Sequence, residues 1–323
     1  MSYLFVKTIF STGGFGNTGA SQPFLNFLND ASVISQRQAS ANPNSGNFIN
    51  PATGYRNGYS LYSQDVAIPA FLAAYSGQSP SKVTLNPFPS IPLPNWTISY
   101  NIYKTVASIW PWAKKNITSI TISNAYSGTY SVGSYSFNPL FVPDANGLPT
   151  TMDLNGDFID KDQIPAVSLA DQFSPLAKVL VAFKNGVSSS FEIRDTRQVA
   201  LAMSDIEITE VYAMEYLLGL GYKIKGVTLP FTVGGKAIKN DITLKADLSL
   251  MNNESIVRNA IDQSNQITGG QQIISIKTQA EYNISTRITF RIFFDKVINN
   301  PFISSTFPTS TMDGGIAIRF SLS

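Results

Sequence analysis

Residues 208–225 read ITEVYAMEYLLGLGYKIK. From Tyr212 onward the even positions are Tyr212, Met214, Tyr216, Leu218, Leu220, Tyr222 and Ile224. The odd positions are Ala213, Glu215, Leu217, Gly219, Gly221 and Lys223. Successive Cβ atoms of an extended chain point to opposite sides, so this alternation builds a strand with one large apolar face and one mostly small or charged face. Globular strands run about 5–6 residues, and this one runs well past that.

The contrast recurs downstream. Ile242, Leu244, Ala246, Leu248 and Leu250 oppose Thr243, Lys245, Asp247 and Ser249. Ile274, Ile276, Ala280, Tyr282 and Ile284 oppose Ser275, Lys277, Gln279, Glu281 and Asn283, with Thr278 out of phase. Ile288, Phe290, Ile292 and Phe294 oppose Thr289, Arg291 and Asp295, with Phe293 out of phase. A last strand carries Ile316, Ile318, Phe320 and Leu322. Earlier, less regular strands carry Trp96, Ile98, Tyr100 and Ile102, then Ile120, Ile122, Tyr126, Tyr130 and Val132.

Composition narrows the class. Charged residues make up 14% of the 323 positions, against roughly 25% in soluble domains, while aromatics reach 12% and mean hydropathy is +0.03. No stretch approaches the roughly 18 apolar residues that a membrane helix needs. There is no Cys, which removes disulfides and thiolate chemistry, and no His, which removes the commonest general base. Ser-His-Asp catalysis is therefore impossible within the chain, and no enzyme is expected. A net charge of +2 without a long run of one sign gives no reason to expect nucleic acid. The opening MSYLFVKTIFSTGGFG lacks the layout of a signal peptide. If the protein is exported, its signal is expected upstream, and the chain is then expected to be a fragment of a longer protein.

A soluble sandwich also alternates. Strand length, low charge and aromatics near strand ends favour lipid instead, since a tilted strand crosses a bilayer in about 9–11 residues and aromatic girdles flank the apolar band. The expected fold is all-β: an antiparallel transmembrane β-barrel segment of about ten up-down strands, with long extracellular loops containing short helices. Short links are expected at 104–115, 185–186, 226–239 and 285–286. Long ones are expected at 11–93, 135–164, 259–270 and 298–313, with 203–205 as a tight exception. Within residues 1–323 the stretch 11–93 is expected to form an extracellular cap. Phe24, Leu25, Phe27, Leu28, Val33 and Ile34 suggest one amphipathic helix there. Pro69 suggests the first turn of another.

Site expectations follow from the phase of alternation. Tyr212, Met214, Tyr216, Leu218, Leu220, Tyr222, Leu244, Leu248, Ile274, Ile276, Ile288, Phe290 and Ile292 are expected to face lipid. Lys223, Lys245, Asp247, Lys277, Glu281 and Arg291 are expected to face a wet lumen. Ile316, Ile318, Phe320 and Leu322 form a terminal strand suited to capture by assembly machinery through β-augmentation. No cofactor is expected, apart from a calcium candidate at Asp153, Asn155 and Asp157, where oxygen ligands at every second residue open as calcium loops do. That pattern departs from the EF-hand at its sixth position, Phe158, and its twelfth, Ile164; a polar surface loop is the competing interpretation. The Gly13-Gly14-Phe15-Gly16 cluster is expected to be a flexible loop.

Several separated segments, in order, resemble the C-terminal region of the SprA/Sov family. They are IPAFLAAYSG (68–77), PFPSIPLPNW (87–96), SGTYSVGSY (127–135), DQFSPL (171–176), ITEVYAMEYLLGLGYKIK (208–225), NNPFISSTFPTS (299–310) and the ending GIAIRFSLS. The resemblance covers essentially the whole chain. It implies the outer-membrane translocon of the type IX secretion system of Bacteroidetes, tied to gliding motility: a single-chain barrel of about 36 strands, at the upper end of known sizes. It implies as partners the remainder of that barrel, a PorV-like barrel, a periplasmic plug protein, folded cargo proteins and outer-membrane lipid. Family members are far longer than this chain, so the chain would supply only the last part of the wall, with Ser2 to Phe10 beginning mid-barrel. A small porin-like barrel and a secreted β-rich adhesin or structural protein are the alternative interpretations of the residues.

Overall fold

The computed structural model describes residues 6–11, 19–46, 48–89, 94–233, 236–285, 287–303 and 306–320. The chain opens with helices α1 (Val6–Ile9), α2 (Gln22–Ala41) and α3 (Gln64–Ser76), then enters strand β1 (Trp96–Asn101). Helices α4 (Tyr103–Ile109) and α5 (Pro111–Asn116) lead into β2 (Ile117–Val132). Two short strands, β3 (Ser136–Phe137) and β4 (Asp162–Gln163), pair with each other. The long strands β5 (Ala166–Phe183), β6 (Val187–Ala202), β7 (Glu207–Val233), β8 (Lys236–Asn259), β9 (Asn265–Asn283), β10 (Ile288–Pro301) and β11 (Thr309–Phe320) follow.

Nine of these strands form one antiparallel sheet in the order β1-β2-β5-β6-β7-β8-β9-β10-β11. Each long strand thus pairs with the next, an up-and-down meander. Among the described residues the sheet does not close: β1 pairs only with β2, and β11 only with β10. Four sequence expectations need correction, one of them the link at 298–313, which shrinks to 302–308 between β10 and β11. The expected strand over Ser2 to Phe10 is, where described, the helical turn α1. The link at 226–239 shrinks because β7 and β8 continue into it as far as Val233 and Lys236. That at 259–270 shrinks to 260–264. The connections at the cap end are accordingly not uniformly long.

The register unites the apolar sets on a single face. Tyr100, Ile122, Val179, Phe191, Leu218, Leu248 and Ile276 stand opposite one another in turn from β1 to β9. A second row runs Val187, Tyr222, Leu244, Ala280, Ile292 and Ile316 from β6 to β11. On the reverse face Lys223, Thr243, Glu281 and Arg291 form one row, and Asp247, Lys277 and Asp295 another. Opposite charges stand directly across from each other at Asp247–Lys277, Lys277–Asp295 and Glu281–Arg291, the favourable cross-strand arrangement.

The described core lies at one end of the apolar face, under α2 and α3. Phe24, Phe27 and Ile34 of α2, nearly all of α3, and Val167, Leu169, Val199, Leu201, Ile206 and Ile208 of the sheet make one buried cluster. Helix α2 starts where Ser21 caps it, the Oγ accepting from the Phe24 N–H at 3.3 Å, with Pro23 in the first turn. Helix α3 is apolar all round and buried all round, as a helix without a polar stripe must be. Pro69 was expected in its first turn. The helix begins earlier, at Gln64, so Pro69 lies inside it. Proline has no N–H to return to the Asp65 carbonyl, and the Gln38 Nε2 of α2 donates to that carbonyl at 2.8 Å instead. One missing helical bond thereby becomes a bond between helices.

Candidate functional surfaces

The first surface is the part of the apolar face that no helix covers. On β7 Ile208 and Glu210 are fully buried beneath the helices, and Tyr212 is 7% exposed. Beyond them Tyr216, Leu218, Leu220 and Tyr222 are open, as are Leu244 and Leu248 on β8, Ile276 on β9, Ile292 on β10 and Ile316 to Phe320 on β11. Among the described residues no second sheet stacks on this band; the remaining sheet is the two-stranded β3–β4 pair. The sequence-expected lipid-facing residues therefore share one face, but Tyr212 is a correction. It stands opposite Arg197 and Glu254 in the covered region, so it is packed by protein. Met214, Ile274, Ile288 and Phe290 are half-exposed on the same face.

The second surface is the reverse face. Lys223, Lys245, Asp247, Lys277, Glu281 and Arg291 all lie on it, as their odd phase requires. Lys223 also pairs with Asp241 at 3.0 Å. Farther up, Glu192 takes Lys178 at 2.8 Å and Arg194 at 2.6 Å, and Arg194 reaches on to Glu215 at 3.2 Å. A ladder of both signs thus runs across the polar face.

The third feature is a charged network buried between sheet and cap. Arg197 holds Asp171 with two bonds, Nε to Oδ1 at 2.9 Å and an amino nitrogen to Oδ2 at 3.0 Å, with both side chains fully buried. The guanidinium also donates to Thr8 Oγ1 of α1 and to the Tyr75 carbonyl of α3. Glu210 receives three donors: Arg258 Nε at 2.7 Å, the Tyr75 hydroxyl at 2.5 Å and the Ser21 Oγ at 3.0 Å. The Tyr75 phenol is pushed well above its usual pKa, first by burial and then by the Glu210 charge, so it stays a neutral donor. Arg258 reaches the Gly19 carbonyl at 3.0 Å and Asn265 Oδ1 at 2.6 Å. These buried ions are paired and hydrogen-bonded, the condition under which charges persist in an interior.

Sequence reading missed this network. One signal was available: Glu210 lies in the apolar phase between Ile208 and Tyr212, where a carboxylate has no reason to be unless a partner arrives from another element.

The loop carrying Asp153, Asn155 and Asp157 is spent on its own turn. Asp153 Oδ1 accepts from the backbone N–H groups of Asn155 and Asp157, both at 2.9 Å. Asp157 turns away to bind the Ser60 backbone N–H and hydroxyl. Among the described residues no group of three or more acidic side chains is arranged to hold a metal. The Asp153 and Asp157 oxygens thus already accept hydrogen bonds from the protein. Nearby, Asp65 and Asp160 share a hydrogen bond. Burial and the Asp65 charge lift the Asp160 carboxyl well above the ordinary range, and burial raises Asp65 too.

The terminal strand holds Ile316, Ile318 and Phe320 exposed on the free edge strand β11. Leu322 lies outside the described residues, as does the glycine cluster at 13–16. Compared with protein-family models and with curated proteins, the chain matches none.

Proposed function

We propose that this chain is a section of the wall of an outer-membrane β-barrel, the C-terminal section of a protein-conducting pore of the SprA/Sov kind, through which folded cargo passes passively. What supports this is the bare apolar band. On β7 it extends from Met214 to Ile224, beyond the covered residues Ile208 to Tyr212. That span falls within the reach of a tilted strand across a bilayer, about 9–11 residues. A soluble protein rarely leaves a contiguous apolar patch larger than a few hundred Å²; this one spans most of the sheet. The opposite face supplies a wet wall of mixed charge, and the helical cap at one end would stand outside the bilayer.

Among the described residues the outer edges of β1 and β11 have no partner strand, which favours a wall section over a small closed barrel. An open edge of β11's length presents unpaired N–H and C=O groups that other strands complete. In this reading further strands of the same pore flank both edges. The PorV-like barrel, the plug protein and the type IX cargo enter as proposed partners through the segment resemblance alone.

The absence of Cys makes the test clean, because each introduced thiol is unique. Leu218→Cys and Leu248→Cys variants in lipid vesicles are expected to react with a lipid-soluble maleimide and resist a charged one. Lys245→Cys and Lys277→Cys variants should show the reverse. A folded, detergent-free monomer in which all four positions react alike with the charged reagent would overturn the proposal.

A further inference from the structure

At the end of the sheet remote from the cap, a second helical element covers the apolar face. Its inner side is apolar: Ala113, Ile117 and Ile120 are buried, with Ile102, Tyr103, Val106, Val181 and Phe183 packed around them. Ile120 stands opposite Val181 on the same face as Ile122 and Val179, so the α4–α5 hairpin lies over the margin of the apolar band. Its outer side is unlike any other described helix surface of the molecule. Ile109 is 79% exposed, Trp110 55% and Trp112 48%. The two indoles stand 5.1 Å apart, and Trp112 meets Phe183 edge-on at 6.5 Å.

Lysines surround these rings. Lys104, Lys114, Lys115 and Lys184 are all exposed, and Lys184 is folded back onto the hairpin by donating from Nζ to the Lys114 carbonyl at 2.9 Å. From Asp65 to Asp144 the sequence contains no other acidic residue, so nothing on this segment neutralises them. Tryptophan carries a large apolar ring with one polar N–H, and it concentrates where hydrocarbon meets headgroup. Lysine keeps its charge in water while its stem lies along apolar surface. A short amphipathic element with both, lying in line with an apolar band, has the chemistry of an interfacial anchor.

We propose that the α4–α5 hairpin inserts Ile109, Trp110 and Trp112 among the headgroups of an anionic phospholipid leaflet, with Lys104, Lys114, Lys115 and Lys184 against the phosphates. The anchor rests on the wall reading, because the hairpin continues the band that the wall presents to lipid. It adds a side to it: the leaflet at the end remote from the cap is the one gripped by charge. The occupant is argued from charge complementarity and from continuity with the band; a protein partner at the same rings is the competing outcome.

The test uses the full chain in vesicles of phosphatidylethanolamine with phosphatidylglycerol, and in a matched set of phosphatidylcholine alone. The chain has three tryptophans, so Trp96→Phe leaves the hairpin's indoles as the only reporters. Lipids brominated near the headgroup are expected to quench them roughly twofold more than lipids brominated deep in the chain, as burial of about 5–10 Å requires. The double variant Lys114→Gln/Lys115→Gln should lose quenching in the anionic vesicles and change little in the neutral set. Should Trp96→Phe fail to fold, the difference between the unmodified chain and Trp110→Phe/Trp112→Phe gives the same measurement. Unquenched, water-like emission while the Leu218→Cys variant still reports lipid would overturn the anchor and leave the wall standing, and would point to a protein partner. If position 218 reports water as well, wall and anchor fall together.

Discussion

Glu210 ties the helical cap to the sheet. It accepts from strand, helix and loop at once, through Arg258, Tyr75 and Ser21. A buried ion pair adds little net stability over an apolar substitute, but removing one partner strands the other, at a cost of about 3–5 kcal/mol. Arg258→Met is therefore expected to lower the thermal stability of the cap by that order. The double variant Arg258→Met/Glu210→Gln should recover part of the loss, with unfolding in detergent followed by tryptophan and tyrosine fluorescence as the measure. Asp160 works in the opposite direction. Its folded-state pKa is raised, with Asp65 as proton-sharing partner and Asp153 and Asp157 as further negative neighbours. A group raised on folding contributes stability that is full below its unfolded pKa and is lost as pH climbs through the folded one. Asp30, lifted by burial to about 6, has the same sign. The cap is accordingly expected to unfold at higher temperature at pH 5 than at pH 7.5. Asp160→Asn should raise the melting temperature at pH 7.5 and change it little at pH 4; an equal shift at both values would contradict the assignment.

At the scale of elements, α3 shows how a sequence defect is converted into a contact. Pro69 removes one helical bond, and Gln38 of α2 supplies the missing donor to Asp65. Gln38→Ala is expected to cost about 1 kcal/mol, the loss of one hydrogen bond to a partly buried carbonyl. In a Pro69→Ala background the same change should cost less, because the restored N–H can reach that carbonyl. Equal costs in both backgrounds would mean that the glutamine acts through packing alone. The strands show how far period-two alternation goes. In β7 to β11 the apolar phase read from residues is the phase on one face of the sheet, because a pairing slip of a single residue would turn every side chain over. It went further astray at ends: alternation weakens around Gly226 and Asn265, yet backbone pairing carries the strands past those points. Helix α1 was unreadable for another reason. A four-residue turn has no period, and what holds it is the Thr8 contact with Tyr75 and Arg197, residues far along the chain.

For the molecule as a whole, alternation read from residues was enough for the class of fold and for which side chains share a face. It was not enough for coverage. That Tyr212 is packed while Leu220 is bare follows from where α2 and α3 land, and no local pattern in β7 states it. The Asp153 loop shows a related limit: acidic spacing reveals the ligands a site could offer, whereas the backbone N–H groups that share those oxygens appear only once the turn is folded. Where the helices land also has a consequence for traffic through the proposed pore. Arg197 and Glu210 fasten them to the apolar side of the sheet, the flank away from Lys245 and Lys277. A body clamped to the outside of a pipe is no stopper. In the proposed pore, cargo would move along the charged side without dislodging it, and closure would fall to another part of the proposed assembly.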